Sequence, residues 1–348
     1  MRREFAAVPE HPSSGEDIPV LPAQAALRVA AVVVTFNRLD KLSVTVGRLL
    51  DQPVDHLVVV DNASTDGTQA WLDAIDDPRL YVIRTSENLG GAGGFECGLR
   101  ATVERFDPDW CLVMDDDSRP APAALERFRA LAGSQHAEGW DAIAAAVYFP
   151  DGSICEMNRP ARNPFWSMRH FLRTAAGKGR AGFHLPDSAY DESRLVPVDA
   201  ASFVGLFLSR AAIARAGFPD GSLFIYGDDL IYTLELRRAG GKIAFAPELE
   251  FEHDSATYSV ERPFRHQAVW KIYYNYRNAL LAYRLAAGPV FFWPVLAVVT
   301  LRWLMRSSIY GSGRRAYLAL FRLALVDALR GQRARPQGEI IALADGRS

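Results

Sequence analysis

Apolar and polar positions follow a regular order in the first third of the chain. Short apolar runs, which suit strands buried on both faces, alternate with segments whose apolar residues recur every three or four positions, as in helices. The predicted strands are Val29–Phe36, His56–Val60, Leu80–Arg84 and Trp110–Met114. This alternation predicts a parallel sheet covered by helices, with ligands at the carboxyl ends of the strands.

The second half of the chain continues with strands but loses the regular spacing. Further strands are predicted at Ala142–Val147, Val198–Leu208 and Lys242–Ala246. A long stretch without periodicity, 149–194, separates the first two, and such stretches are usually functional or mobile. Its aromatic and basic residues could contact a ligand or form a solvated flap. We therefore expect an α/β fold with a mostly parallel central sheet flanked by helices.

Composition divides the chain into three parts. Residues 1–27 are rich in proline and lack periodicity, which predicts a flexible lead-in without an export signal. Residues 28–260 hold the strand and helix pattern and form the predicted main domain. Residues 261–348 are aromatic and basic and predict a helical C-terminal extension.

Charge and cysteine content exclude several classes of protein. The net charge is −2, from 39 basic and 41 acidic residues, so the chain has no basic field for nucleic acid. The three cysteines have no paired spacing, which argues against a disulfide framework or a zinc site and favours the cytosol. A hydrophobic content of 49% permits a sizeable core.

The most unusual stretch is Trp110–Ser118, where an apolar strand ends in three consecutive aspartates. Side chains alternate along an extended segment, so Asp115 and Asp117 are expected on one side and Asp116 on the other. Two facing carboxylates at the edge of a sheet suit Mg²⁺ or Mn²⁺. A divalent metal that holds a diphosphate is one interpretation, and a solvated acidic turn or helix cap is the other.

Other polar residues follow the remaining strands of the first half and should reach the same edge. Thr35 and Asn37 follow the first strand, and Asp61 follows the second. The third strand leads into ENLGGAGGF, Glu87–Phe95, whose backbone N–H groups at a helix start could meet phosphate. This stretch lacks the spacing of the dinucleotide fingerprint, and a flexible turn is the alternative. Its residues expected to line the cleft are Asn88, Gly91 and Gly93.

The second half contributes two acidic residues and one histidine. Asp228 and Asp229 precede an apolar helical segment, and a carboxylate at a helix N-terminus stays ionised at neutral pH, as a general base must. Ordinary acids at the start of a helix would give the same pattern. His253 follows the apolar part of the predicted strand Leu249–Asp254, where a lone histidine is more often structural than a metal ligand.

The C-terminal part is unusually aromatic and basic. Tyrosines cluster in Val269–Leu285, and the apolar stretch Pro289–Leu301 is shorter than the ~20 residues that a membrane-spanning helix needs. Arginines between Arg302 and Arg333 alternate with aromatic and aliphatic residues, a composition typical of a segment in the plane of an anionic membrane surface. A basic helical hairpin that packs on the main domain, or a partner-binding face, would produce the same pattern.

Four motifs, VTFNR, VVDNASTDGT, MDDDS and YGDD, occur in this order in the chain. Together they resemble the family 2 glycosyltransferases, which have the GT-A nucleotide-sugar fold, and the similarity covers about Val29–Asp254. ENLGGAGGF, LFIYGDD and YYNYRN narrow the resemblance to the actinobacterial galactofuranosyltransferases that begin galactan synthesis on a polyprenyl-diphosphate-linked acceptor.

The resemblance implies a donor site at the carboxyl edge of the sheet. Thr35, Asn37 and Asp61 match positions that hold the nucleoside. Asp116, between the two aspartates of the metal-binding motif, is expected to contact the donor. The metal-binding positions are matched by Asp115, Asp117 and His253.

The resemblance also implies an inverting transfer of a sugar from a nucleoside-diphosphate donor to a hydroxyl group. Asp229 matches the base that removes the hydroxyl proton, with Asp228 as a supporting carboxylate. The implied cofactor is Mn²⁺ or Mg²⁺, which neutralises charge on the departing diphosphate. The family commonly carries another acid two residues after the base, where this chain has Ile231, so its acceptor could differ from that of the galactan enzymes.

The expected partners are a UDP-linked donor, best matched by UDP-galactofuranose, and a lipid-linked glycan acceptor at the inner face of the cell membrane. A rhamnosyltransferase that uses TDP-rhamnose is the nearest alternative. A catalytically silent nucleotide-binding or scaffold protein is another. A sugar nucleotidyltransferase is less suited, because VTFNR lacks the glycine-rich loop that those enzymes usually carry after the first strand. The sequence does not indicate an oligomeric state.

Overall fold

The computed structural model describes residues 27–255 and 268–346. The predicted lead-in, 1–27, lies outside this range except for its last residue, and so does the predicted boundary between residues 260 and 261. The described residues form a nine-stranded sheet with helices packed on both faces, followed by a helical C-terminal region. The predicted α/β class is confirmed.

The first four strands form the parallel half of the sheet. The elements are β1 (Val29–Thr35), α1 (Leu39–Leu50), β2 (His56–Asp61), α2 (Thr68–Asp73), β3 (Leu80–Arg84), α3 (Gly90–Phe106) and β4 (Trp110–Asp115). The strand order is β3-β2-β1-β4. β1 pairs Thr35 with Asp61 of β2, and Val34 with Asp115 of β4. The carboxyl ends of these strands therefore reach one edge of the sheet, as predicted.

The second half of the sheet is mixed. Its elements are β5 (Ser118–Pro120), α4 (Ala124–Ala132), β6 (Ala142–Tyr148), α5 (Met168–Arg173), β7 (Val196–Val198), β8 (Leu206–Ser209), α6 (Arg210–Ala216), α7 (Asp228–Arg238) and β9 (Ile243–His253). β8 lies antiparallel between β4 and β6, and β9 is parallel to β6 but antiparallel to β5 and β7. Because Leu206 of β8 pairs with Val113 of β4, the chain before β8 reaches the edge that carries the aspartates.

Two predicted strands have different bounds in the structure. The single strand predicted at Val198–Leu208 is divided, since the chain between β7 and β8 is irregular and Gly205 has a left-handed backbone with φ of +70°. The segments predicted separately at Lys242–Ala246 and Leu249–Asp254 form one strand, β9. Local apolar pattern indicates where the chain is buried, but it does not show where a buried chain leaves the sheet.

The glycine-rich stretch forms the start of a helix, and not the flexible turn that was its alternative. α3 begins at Gly90, and the remaining glycines of the stretch lie in its first turns. A Cβ on Gly94 would lie 2.4 Å from a Cγ atom of Val34, and one on Gly98 would lie 2.5 Å from a Cγ atom of Val32. These two glycines let α3 pack closely against β1, a role separate from the predicted contact with phosphate.

Two apolar layers cover the faces of the sheet. On one face α1 and α4 pack around Phe128, whose ring stacks on that of Phe207 at 3.7 Å. On the other face α3 and α7 pack around Phe95, Phe203 and Tyr232. Each large buried side chain contributes about 1.5–3 kcal/mol to stability. The layers hold the strands whose ends carry the candidate site residues.

The C-terminal region contains a helical hairpin, one of the alternatives left by the sequence. Its elements are α8 (Lys271–Arg306), α9 (Arg314–Arg330) and α10 (Gln337–Ala344). The helical stretch 271–330 is long and apolar enough to cross a membrane by length and composition. However, α8 is broken at Gly288, which Pro289 follows, and the ring of Trp303 stacks on that of Tyr276 at 4.0 Å. The two halves of α8 therefore lie side by side.

One side of the second half of α8 is apolar and exposed. Its residues are Val290, Trp293, Val298, Leu301 and Met305, which are 59–74% exposed. Their spacing of three to five residues places them on one side of the helix. We call these five residues the apolar face. A contiguous exposed apolar surface marks a site of interaction.

Candidate active site

The three predicted metal ligands lie together at the carboxyl edge of the sheet. The ligand atoms of Asp115, Asp117 and His253 all lie within 4.8 Å of one another. Asp115 ends β4, and the pairing of Ser118 in β5 with His253 in β9 brings the histidine to the aspartates. The Nε2 of His253 lies 3.1 Å from Oδ1 of Asp117. Two carboxylates and an imidazole at this separation are a donor set that a divalent cation can use.

His253 is also held from its other side. Its Nδ1 lies 2.8 Å from Oδ1 of Asn158, an amide oxygen that also accepts from Sγ of Cys155. Because an amide oxygen only accepts, Nδ1 carries the proton and Nε2 is directed at Asp117. Burial lowers the pKa of His253, but the hydrogen bond and the charge of Asp117 outweigh burial and raise it above the ordinary value. The ring is oriented as a metal-ligating histidine requires.

Arg38 neutralises the aspartates, although it was not among the predicted site residues. One guanidinium nitrogen, Nη1, lies 2.9 Å from Oδ1 of Asp116 and 2.8 Å from Oδ2 of Asp117. Its side chain connects the start of α1 to the end of β4, 78 residues further along the chain. Only its position directly after the first predicted strand, at the end of VTFNR, could have indicated this role.

Burial and neighbouring charges set the protonation of the aspartates. Burial, together with the charge of Asp117, raises the pKa of Asp115 to about 8. Burial also raises the pKa of Asp116 to about 6, although Arg38 opposes this shift. For Asp117, burial is outweighed by the hydrogen bonds and charges of His253 and Arg38, and its pKa lies below the ordinary value. A cation bound here would displace a proton from Asp115.

Thr35, Asn37 and Asp61 lie together at the ends of β1 and β2, where the sequence predicts nucleoside binding. The hydroxyl of Thr35 donates to Oδ2 of Asp116 at 2.7 Å, and Oδ1 of Asn37 accepts a backbone N–H of the loop after β2 at 2.7 Å. Oδ1 of Asp61 accepts from the N–H of Ser64, but its Oδ2 is buried without a partner among the described residues. A ligand N–H or O–H would satisfy this oxygen.

The predicted residues at the start of α3 differ in their surroundings. Oδ1 of Asn88 accepts from the N–H of Gly90 at 2.8 Å. A Cβ on Gly93 would lie 2.6 Å from the Cβ of Leu89, whereas the corresponding position on Gly91 is open. Asn88 and Gly93 therefore each have a contact within the protein that accounts for the residue type. Gly91 has none within 4 Å of its Cβ position, so a ligand can approach its backbone.

Asp228 and Asp229 begin α7, as predicted, and both are partly buried. Burial, together with the charge of Asp229, raises the pKa of Asp228 to about 7, and burial raises the pKa of Asp229 above its ordinary value. Burial thus opposes the effect of the helix dipole, which favours the ionised carboxylates, and the ionisation of Asp229 at neutral pH stays a prediction. The charge of Asp228 also raises the pKa of Asp115, so the acidic groups of α7 and β4 act on each other.

A loop with unusual backbone geometry carries these two aspartates. Phe224, Tyr226 and Gly227 have φ values of 67°, 68° and 74° directly before α7. The side-chain amide of Asn278 in α8 lies within 2.8–3.1 Å of three carbonyl oxygens of this loop. The sequence analysis used YYNYRN only to narrow the resemblance and did not predict this contact. The contact joins residues 52 to 55 positions apart, so no local pattern indicates it.

A comparison with known sequences agrees with the motifs. Residues 30–186 match the family Glycosyl transferase family 2. The galactofuranosyltransferase GlfT1 of Mycolicibacterium smegmatis is 29% identical over 215 residues, which are 61% of this chain and 66% of that protein. The chain thus spans slightly less than two thirds of the length of this relative.

Two solved structures are similar in fold at low sequence identity. TarS 1–349 of S. aureus, in complex with UDP-GlcNAc, is 14% identical with a TM-score of 0.55, over 91% of this chain and 84% of that chain. GalNAc-T7 with UDP, GalNAc and Mn²⁺ is 13% identical with a TM-score of 0.52, over 91% of this chain and 56% of that chain. The fold is therefore GT-A, and residues 30–186, which carry the first three of the ordered motifs, are similar to glycosyltransferase family 2.

Proposed function

We propose that this chain is an inverting, metal-dependent glycosyltransferase that moves a sugar from a nucleoside-diphosphate donor to a hydroxyl group. One observation carries the proposal: the metal-ligand candidates cluster at the edge of the sheet, and Asp228 at the start of α7 lies close enough for its charge to act on Asp115. Such a transfer needs positive charge at the departing diphosphate and a base at the incoming hydroxyl. The residues concerned are Asp115, Asp117, His253, Asp228 and Asp229.

The cation is proposed to be Mn²⁺ or Mg²⁺, held by Asp115, Asp117 and His253. The raised pKa of Asp115 supports this assignment, because a second carboxylate in a buried site is stabilised by a cation between the two. When bound, the cation supplies positive charge that neutralises the departing diphosphate. Arg38 contacts Asp117, one of these two carboxylates, and its guanidinium can bind phosphate oxygens.

Asp229 is proposed as the base and Asp228 as its support. The acceptor oxygen forms a bond to the anomeric carbon, and the bond from that carbon to the diphosphate oxygen breaks with its electron pair. The hydroxyl proton passes to Asp229, and a single displacement inverts the configuration at the carbon. Burial raises the pKa of Asp229, which helps it to hold the proton after transfer.

The proposed donor is UDP-galactofuranose. The support is similarity to GlfT1, which is a galactofuranosyltransferase. Thr35, Asn37 and Asp61 are proposed to hold the nucleoside, and Asn88, Gly91, Gly93 and Asp116 to complete the donor site. The buried Oδ2 of Asp61, which lacks a partner among the described residues, is an acceptor that a nucleoside N–H or O–H would satisfy.

The proposed acceptor is a lipid-linked glycan, and the apolar face is proposed to contact the inner surface of the cell membrane. Phe291, next to that face, lies 5.9 Å from Phe165 and 5.2 Å from Phe171, measured between ring centroids. These contacts join segment 164–173, which we call the basic flap, to the second half of α8. The apolar face and the basic flap thus form one surface, and the flap belongs to the stretch whose role the sequence left open.

Charge favours an anionic lipid surface as the partner. The sequence has no acidic residue in 158–186 or in 262–326, although the whole chain has 41. Arg169 and Arg173 of the basic flap are exposed, and so is Arg302 beside the apolar face. Exposed arginines beside tryptophan and aliphatic side chains are typical of a surface that lies in the plane of an anionic bilayer.

The test of the proposed function is metal-dependent nucleotide release from a panel of UDP and TDP sugars, with and without a polyprenyl-diphosphate-linked glycan. Release from UDP-galactofuranose that the acceptor stimulates would support the full proposal. Release from TDP-rhamnose alone would contradict UDP-galactofuranose as the donor but would still support a glycosyltransferase. Nucleotide binding without release from any donor would favour a catalytically silent binding protein.

A further inference from the structure

The loop before α7 is held in an unfavourable backbone conformation. Phe224 has φ of +67° and ψ of −70°, and Tyr226 and Gly227 also have positive φ. Residues with a Cβ rarely adopt positive φ, so these conformations persist only where neighbouring groups determine them. Asp228 and Asp229 follow directly, and the groups that hold the loop therefore also set the positions of both carboxylates.

Asn278 holds this loop from the side of α8. Its Nδ2 lies 3.1 Å from the carbonyl oxygen of Leu223, 2.9 Å from that of Ile225 and 2.8 Å from that of Tyr226. The side chain of Asn278 is 1% exposed, so water cannot replace it at these carbonyls. The amide is thus the donor that allows three carbonyl groups to converge inside a buried turn.

Arg277 fixes the orientation of that amide. Its Nε donates to Oδ1 of Asn278 at 2.8 Å, which turns Nδ2 towards the loop, and its Nη2 donates to the carbonyl of Leu223 at 2.8 Å. The guanidinium is fully buried and lies 5.1 Å and 5.2 Å from the ring centroids of Tyr273 and Tyr274. Burial of a charged group is unfavourable compared with apolar packing, which favours a role beyond filling space.

The opposite side of the loop contacts the start of α3. The carbonyl oxygen of Phe224 accepts a hydrogen bond from the N–H of Ala92 at 3.1 Å. A Cβ on Gly90 would lie 2.1 Å from the same oxygen, so glycine is required for this approach. The loop is therefore fixed between α3, which carries predicted donor-binding residues, and α8, which carries Asn278.

We propose that Asn278, oriented by Arg277, is a positioning residue that fixes Asp228 and Asp229 relative to the donor site. This inference rests on the proposed function, in which the two aspartates act on the acceptor hydroxyl. Displacing a catalytic group by about 1 Å can lower a rate about 100-fold. Loss of the Asn278 contacts should therefore reduce turnover, while donor binding through Thr35, Asn37 and Asp61 at the ends of β1 and β2 is retained.

The test compares Asn278→Asp with Tyr276→Phe. Aspartate matches asparagine in size and can still accept from Arg277, but it presents a carboxylate instead of an N–H group to the loop carbonyls. Tyr276→Phe removes a buried hydrogen bond of 2.9 Å to Tyr317 from the same helix without a change at the loop. It therefore controls for general destabilisation of α8.

Transfer kinetics and hydrogen exchange of backbone amides 223–230 are measured for the wild type and both variants. Asn278→Asp should lower kcat about 100-fold, keep the donor KM within about threefold and speed exchange in this segment. Tyr276→Phe should change kcat and the exchange of 223–230 far less than Asn278→Asp does, even where the two variants lower the melting temperature equally.

Near-normal kcat in Asn278→Asp, or unchanged exchange in 223–230, would overturn the proposal. An inactive wild type would contradict the proposed function instead, and the exchange measurement would still decide whether Asn278 holds the loop. Where Asn278→Asp fails to fold, Asn278→Ser removes the amide without adding charge, and the same results are expected of it.

Discussion

Nη1 of Arg38 lies 2.8 Å from Oδ2 of Asp117, so a side chain at the start of α1 neutralises a predicted metal ligand at the end of β4. The same nitrogen lies 2.9 Å from Asp116. A guanidinium and a divalent cation both neutralise carboxylates, and we therefore expect them to compete for Asp117. This competition makes the stability of the acidic cluster depend on the metal in a measurable way.

Arg38→Ala should lower the free energy of unfolding by about 1–2 kcal/mol in EDTA, because it removes the guanidinium from two buried carboxylates. Added Mn²⁺ should stabilise this variant more than the wild type, since the guanidinium no longer competes. Chemical unfolding in EDTA and in Mn²⁺ measures both effects. Arg84→Ala, which breaks an exposed ion pair with Asp73, is the control. Equal gains from Mn²⁺ in Arg38→Ala and the wild type would contradict the competition.

Asp117→Asn should remove the metal dependence of donor binding. We expect the wild type to bind UDP about 10–100-fold more tightly with Mn²⁺ than without it, and the variant to bind equally in both conditions. Calorimetric titration measures the affinities. Asp109→Asn changes an aspartate before the opposite end of β4 and should behave as the wild type. If Asp117→Asn still binds UDP more tightly with Mn²⁺, to the same extent as the wild type, Asp117 is excluded as a metal ligand.

Transfer should increase with pH across neutrality. Burial and the charge of Asp229 raise the pKa of Asp228 to about 7, and burial raises that of Asp229, so the pair retains a proton at low pH. Only the ionised pair can accept the hydroxyl proton, and kcat should therefore rise between about pH 6 and 8. Asp228→Asn should move this rise to lower pH, because it removes a like charge beside the base.

Asp229→Asn tests the same base by substitution. It should retain donor affinity and lose transfer, since the amide cannot accept the proton but occupies the same space. Donor titration and single-turnover kinetics separate the two quantities. A kcat that does not vary with pH, or near-normal turnover in Asp229→Asn, would exclude Asp229 as the base.

The sequence predicted those parts of the molecule whose signal is local. Each strand of the parallel half is a continuous apolar run, and the three aspartates after Met114 are adjacent in the chain, so periodicity and chemistry were sufficient. Arg38 and Asn278 were missed because their partners lie 52 to 79 residues away. Such contacts depend on how the sheet and α8 pack, which no single segment encodes.

Burial at the start of a helix is a second feature that the sequence does not show. YGDD correctly placed Asp228 and Asp229 at the start of α7, but the sequence does not show that surrounding groups remove water from them, and so their raised pKa values were not predicted. The sequence analysis left a helical hairpin open as an alternative but did not place its turn at Gly288, which Pro289 follows. A glycine followed by a proline is a local signal for a helix break, but the interpretation of this region rested on its aromatic and basic composition.

The apolar face should bind anionic vesicles. Val290→Ser, Trp293→Ser and Val298→Ser together replace side chains that are 61–74% exposed, so the fold should tolerate them. Burial of each native side chain in lipid contributes about 1.5–3 kcal/mol, and the triple variant should therefore partition at least about 100-fold less. Co-sedimentation with vesicles of anionic phospholipid measures this. Val44→Ser, at an exposed position of α1, should bind as the wild type.

The basic flap should add a charge-dependent part to this binding. Arg169→Gln with Arg173→Gln should weaken binding to anionic vesicles by about 1 kcal/mol per arginine and leave binding to neutral vesicles unchanged. Equal co-sedimentation of the flap variant, the triple variant and the wild type would exclude a lipid contact. A change of oligomeric state in the triple variant, without a change in vesicle binding, would assign the apolar face to a second copy of the chain. Weaker vesicle binding in both variants would mean that the flap and α8 meet one bilayer, in agreement with the contacts of Phe291 in α8 with Phe165 and Phe171 of the flap.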